Sequence, residues 1–243
     1  MGKKNYLTKK KSKSRIKELI YFLIHPDINL GTDQSLKETF KDVLFYVGFG
    51  FFLVGIIALI TNEIISLENS INSILGDRNS VIRTFLVVVL LGPVIEESIF
   101  RLPLRFKPIN LAIATTVLSW VFIGSLNAIY GNKECIVFQI LCVLIAMPIG
   151  VLTLYIGKKY SEKLKIFWTN NFRFIFYASF VLFGLFHAAN FDITSKNIIY
   201  LPIIILPWFI AGHINGFIRV KYGFIIGILY HVLNNLVLVL LSY

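Results

Sequence analysis

Seven apolar runs, each close to the roughly 20 residues a helix needs to cross a bilayer core, dominate this chain, at about 43–63, 82–106, 109–130, 135–157, 173–191, 198–218 and 223–242. Lipid offers the backbone no water to bond, so each run must pair its own N–H and C=O groups, which a helix does within one segment. The expected fold is therefore all-α: a polytopic membrane helix bundle with about seven transmembrane helices. A short apolar run at 19–25 makes an eighth, interfacial helix if it forms one.

Composition agrees, with 56% of the 243 residues hydrophobic and 15% charged. The net charge of +11 suggests nucleic acid until it is located. Lys3, Lys4, Lys9, Lys10, Lys11, Lys13, Arg15 and Lys17 supply eight of the 24 basic residues, all before the first apolar run. Without them 16 basic residues face 13 acidic ones, so the charge belongs to a tail held near anionic lipid and no nucleic-acid partner is expected. Residues 1–41 read as an uncleaved, partly amphipathic cytoplasmic segment, because Leu19 to Ile24 is too short for a signal-peptide core and His25-Pro26-Asp27 follows. Gly2 lacks the Ser or Thr that myristoylation wants, since position 6 is Tyr6. Residues 42–243 form the membrane domain. Cys135 and Cys142, seven apart on one apolar run, read as packing residues.

Basic residues orient the spans. The tail, Arg101/Arg105/Lys107, the segment Lys158 to Arg173 and Arg219/Lys221 fall on one side; Glu63 to Asp77, Lys133/Glu134 and Asp192 to Lys196 fall on the other. The positive-inside rule makes the first side cytoplasmic, in a cell membrane, with the N-terminus inside. Gly212/Gly216 and Gly223/Gly227 have the i, i+4 spacing that lets helix backbones approach, a packing role. Pro93, Pro103, Pro148, Pro202 and Pro207 need neighbours or water to satisfy the carbonyls they free, and Pro93 stands where it could open the backbone beside Glu96.

The ionisable residues well inside the spans are few: Glu96, Glu97, Arg101, His187, His213 and His231. Such groups mark function by default, because each is costly at membrane depth. Glu97 and Arg101 are i, i+4 and can pair, while Glu96 points about 100° away and is available. His231 and Asn235 share one helix face, as do Phe183 and His187, where Phe183 is expected to set the imidazole rotamer. His213, with only Asn215 nearby, reads as interhelical glue. A carboxylate, two imidazoles and an amide suit amide hydrolysis, with the carboxylate taking a proton from water and the other groups donating to the oxyanion. Two histidines and a glutamate, Glu96, His187 and His231, could equally bind zinc with a position open for water. Spacing does not choose between them.

Glu96-Glu97-Ser98-Ile99-Phe100-Arg101, Phe183-Gly184-Leu185-Phe186-His187 and His231-Val232-Leu233-Asn234-Asn235 resemble, in order, the EExxxR, FxxxH and HxxxN motifs of the CAAX-protease and bacteriocin-processing (Abi) family of intramembrane peptidases. The resemblance covers about residues 82–242 and includes the short basic loop from Gly216 to Gly223. It implies that Glu96 activates water, that Glu97 and Arg101 support it, and that His187, His231 and Asn235 surround the scissile carbonyl. Family members are argued to be glutamate-dependent or metal-dependent, so a divalent cofactor such as zinc stays open. One departure stands out: about 85 residues and two spans separate the first two motifs, which usually lie on neighbouring helices. At 1.5 Å per residue from the cytoplasmic edge, Glu96 and His231 lie roughly 13 Å deep and His187 about 20 Å.

No HExxH or Gly-x-Ser-Gly is present, so a site-2-type zinc protease or a rhomboid fits less well. The expected partner is a peptide or membrane-protein substrate entering from the cytoplasmic face. The rival reading is a non-enzymatic membrane immunity or partner-binding protein that keeps the polar cluster as scaffold; a proton-coupled carrier would show paired broken helices, and no such symmetry is seen.

Overall fold

The computed structural model describes residues 14–62, 82, 85–130, 136–189 and 198–242, and among these it is all helical, with no strand. The long elements are α1 (Arg15–Ile24), α2 (Leu36–Asn62), a π-helical segment (Phe85–Leu91) running into α3 (Gly92–Phe100), α4 (Pro108–Tyr130), α5 (Ile136–Lys159), α6 (Ser161–Asn170), α7 (Phe172–Ala188), a short α8 (Leu201–Ile204), α9 (Leu206–Tyr222) and α10 (Phe224–Ser242). Five helices are long and apolar enough to cross a membrane, six if the bent pair α6–α7 counts as one span. Of the seven expected runs, those at 82–106 and 173–191 are described only in part. In the run at 82–106 a seven-residue π segment passes directly into the nine-residue α3, after which the chain turns. The run at 173–191 is carried by α7, 17 residues long.

Prolines explain several of these boundaries. Pro202 and Pro207 sit in the first turns of α8 and α9, where a missing N–H costs nothing; Pro93 opens α3 directly behind the π segment, and Pro148 is inside a long helix, α5.

The basic segments assigned to one side are gathered at one end of the bundle, called here the basic end; the acidic loops opposite, and Cys135, lie outside the described residues. The run at 19–25 belongs to α1, ten residues and about 15 Å long, too short to cross. Its buried Leu19 and Phe22 pack against the basic ends of α7 and α9, with Phe22 edge-on to Phe176 at 5.2 Å between ring centres. Polar ties hold it there: Arg15 pairs with Asp42, Lys221 Nζ with Glu18 Oε2 at 2.8 Å, and Tyr177 Oη donates to Leu23 O at 2.9 Å.

The turn after α3 is fixed by satisfying its carbonyls one by one, as buried backbone requires. Ser179 Oγ donates to Phe100 O (2.6 Å), Arg219 Nε to Arg101 O (3.2 Å), Trp168 Nε1 to Pro103 O (2.8 Å) and Asn110 Nδ2 to Arg105 O (2.8 Å). Helices α6, α7, α9 and α4 thereby share one anchor.

At the centre, α7 and α9 cross closely because glycines receive aromatic rings. A Cβ at Gly184 would overlap the Phe209 ring, and one at Gly216 would stand 2.7 Å from Phe176 Cε2. Gly212 meets Phe183, Phe180 and Arg101 in the same way, so the packing role of Gly212/Gly216 holds. Gly223 differs: nothing lies within 4 Å of its Cβ position, but φ is +103°, a conformation open to glycine, and it links α9 to α10. Helices α4 and α5 form a hairpin beside this core; α5 packs on α4, where Gly150 fits against Thr116, and otherwise chiefly on α6.

Candidate functional site

The site begins with a fault in the second span. In the π segment each N–H reaches back five residues, and in that register the carbonyl of Val88 would be served by residue 93. Pro93 has no N–H. The carbonyl is taken instead by Asn235 Nδ2 of α10 at 2.9 Å, which ties α10 to the segment just ahead of the two glutamates.

Glu97 is fully buried; Asn215 Nδ2 at 2.7 Å and His231 Nδ1 at 2.9 Å hydrogen-bond its Oε1, and Arg101 Nη1 pairs with it electrostatically at 3.5 Å without a hydrogen bond. The expected i, i+4 pair of Glu97 and Arg101 is therefore present, joined by α9 and α10. The Arg101 guanidinium, 1% exposed, lies over the face of Phe183 with its carbon 3.7 Å from the ring centre. Phe183 also touches His187 (4.5 Å between ring centres) and His231 (5.9 Å). It does more than set one rotamer, since the same ring seats a cation and two imidazoles.

Glu96 points elsewhere, as a neighbour offset by about 100° must. Its side chain is 19% exposed, and its buried Oε2 makes no hydrogen bond among the described residues. Facing that oxygen are His231 Nε2 at 3.6 Å and His187 Nε2 at 3.8 Å. In both rings Nδ1 is committed: His187 Nδ1 to Phe183 O at 2.9 Å, His231 Nδ1 to Glu97 Oε1 at 2.9 Å. A carbonyl and a carboxylate accept, so Nδ1 carries a hydrogen in each, and both rings turn Nε2 toward Glu96. Trp208, from the start of α9, stacks on His187 at 5.5 Å and 28°.

The structure thus brings Glu96, Glu97, Arg101, His187 and His231 together from α3, α7 and α10, and places Asn235 one turn beyond His231 against Val88. The depth mismatch inferred from counting residues is closed. His213 stands apart: its Nδ1 is on Phe209 O within its own helix, so in place of the expected interhelical hydrogen bond it meets α7 by ring packing, 3.3 Å between its ring centre and that of Phe180. Sequence reasoning passed over Asn215 as a functional member. Its signal was an amide in a span, one turn before Arg219 and next to Gly216, at a place where an apolar residue would be expected.

Two carboxylates stand against one guanidinium in this cluster. A water donating toward Glu96 Oε2 and an imidazole is well placed to give up a proton there. Among the described residues no group of three or more His, Cys, Asp or Glu is set to hold a metal ion. Neither α4 nor α5 contributes a residue.

No protein-family model matches the chain, and no curated protein or solved structure matches it significantly.

Proposed function

We propose that this chain is an intramembrane endopeptidase of the CAAX-protease/Abi type, with its basic end and N-terminus in the cytoplasm of a cell whose membrane it spans, cleaving a peptide or membrane-protein segment that enters from that end. The observation that carries the reading is the buried Oε2 of Glu96, without a hydrogen bond among the described residues and faced by Nε2 of His231 and of His187. Glu96 takes a proton from water, and the resulting hydroxide attacks the scissile carbonyl carbon. The proton then passes to the amine as the C–N bond breaks, which restores Glu96 and balances the step.

Glu97 acts through His231. A buried carboxylate on Nδ1 fixes the tautomer and stabilises the imidazolium that forms when Glu96 relays to Nε2 the proton it took from water; Nε2–H then donates to the oxyanion, and that same proton goes on to the leaving amine. Asn215 and Arg101 hold Glu97 in that position. Phe183 O does the orienting for His187, with the Trp208 ring on its face.

The test compares peptides and new membrane-protein termini, by mass spectrometry, from cells carrying the native chain or Glu96→Gln at matched abundance. Termini that appear with the native chain and fall at least about 100-fold in the variant support the reading and name the substrates. Identical profiles with the cellular phenotype retained would overturn it in favour of an immunity or partner-binding protein.

A further inference from the structure

We propose that the segment from Lys158 to Arg173, centred on α6, is a binding surface for anionic phospholipid headgroups. The proposal stands apart from the peptidase reading. Helix α6 meets α7 at 80°, so where α7 runs through the bundle α6 lies across its end, in the plane of a bilayer surface. The segment holds Lys158, Lys159, Lys163, Lys165 and Arg173 against Glu162 alone, a net charge of +4 from five basic residues and one acidic.

These charges are not neutralised from within. Among the described residues none of the five lies within ion-pair distance of a carboxylate, whereas Arg15, Lys41 and Lys221 each have one. Apolar groups accompany them. Lys163, Ile166 and Phe167 share a helix face by their i, i+3 and i, i+4 spacing, with Ile166 59% and Phe167 51% exposed. Lys159 Nζ sits 5.9 Å from the ring centre of Tyr155 and 5.6 Å from that of Tyr160. Ammonium groups above apolar and aromatic side chains match the boundary between headgroups and acyl chains. A soluble acidic partner would answer the charges and leave Ile166 and Phe167 bare. Trp168 of α6 donates to Pro103 O at 2.8 Å and lies against Phe106, so headgroups that hold α6 also steady the turn behind Arg101.

Trp168 supplies the probe. The full chain with Trp120→Phe and Trp208→Phe, leaving Trp168 as its one tryptophan, is reconstituted in phosphatidylcholine vesicles. Equal fractions of acyl-brominated phosphatidylglycerol or acyl-brominated phosphatidylcholine are then added. A lysine at an anionic surface is worth a factor of about five, so quenching should report at least about fivefold enrichment of the anionic lipid at low salt. The preference should vanish when Lys158, Lys159, Lys163 and Lys165 are changed to Gln, and persist when all four are changed to Arg, which controls for folding. Equal quenching by the two lipids overturns the proposal, as does a preference that survives the Gln changes. Binding of a soluble polyglutamate peptide without any lipid preference would overturn it too, by reassigning the surface to a peptide.

Discussion

Replacing Asn215 by Leu asks whether the donors around Glu97, and not apolar packing alone, hold α9 to α3. Asn215 is buried, and its amide N–H reaches Glu97 Oε1 at 2.7 Å between helices far apart in sequence. Neutral interhelical hydrogen bonds in membranes average about 0.6 kcal/mol and reach about 1.7. Bonds to charged groups run from about 1.5 to 3 kcal/mol. The acceptor here is a fully buried carboxylate, so the charged range governs, and its lower end, about 1.5 kcal/mol, is the expected cost. That is roughly a tenfold change in the ratio of folded to unfolded protein. Leu is close to Asn in reach, which keeps the packing change small. The assay is equilibrium unfolding in mixed micelles of native-preserving and denaturing detergent. Asn234→Leu is the control: the same amide on α10 donates only to Tyr230 O one turn back in its own helix, at 2.9 Å, and should cost no more than about 0.6 kcal/mol. Equal costs for the two variants, within about 0.3 kcal/mol, would refute the reasoning from charge and burial.

Two further outcomes are expected from the same assay. Gly184→Ala puts a methyl into the Phe209 ring and should destabilise by about 1–3 kcal/mol, whereas Gly48→Ala, with nothing within 4 Å, should cost nothing. Asn235→Leu should cost about 1–3 kcal/mol by stranding Val88 O, and less in a Pro93→Ala background, where residue 93 regains an N–H; strict additivity would show that Pro93 does not orphan that carbonyl.

The helical class and the main spans were legible because apolar length alone dictates them, and the site residues because ionisable groups in spans are few. The π segment in the second span, and the turn after α3, were not. The apolar run of that span continues unbroken to Gly92, and the boundary comes from Pro93 and from turn carbonyls satisfied by Ser179, Arg219 and Trp168, partners up to 118 residues away. Gly223/Gly227 shared the spacing of Gly212/Gly216, yet Gly223 serves through its backbone angle, which spacing does not reveal. Spacing puts Asn235 on one face with His231, and the family resemblance implies its place at the scissile carbonyl; that Val88 O, behind Pro93, takes one of its amide N–H groups is not visible in the spacing.

The separation between the first two motifs also has a physical resolution. Two inserted spans preserve parity, and α4–α5 sits as a hairpin beside the core, so α7 still rises from the basic end. Ser179 on Phe100 O sets the level of α7 against α3. From that level Glu96 lies four residues up and His187 eight, an offset of about 6 Å along the helix axes. Side chains lean toward the N-terminus of their own helix. Helix α3 runs toward the basic end, so Glu96 leans away from that end; α7 and α10 run the other way, so His187 and His231 lean back toward it. Antiparallel direction turns an axial offset into convergence, and both imidazoles reach the same carboxylate oxygen, at 3.8 and 3.6 Å, without matched depths of their α-carbons.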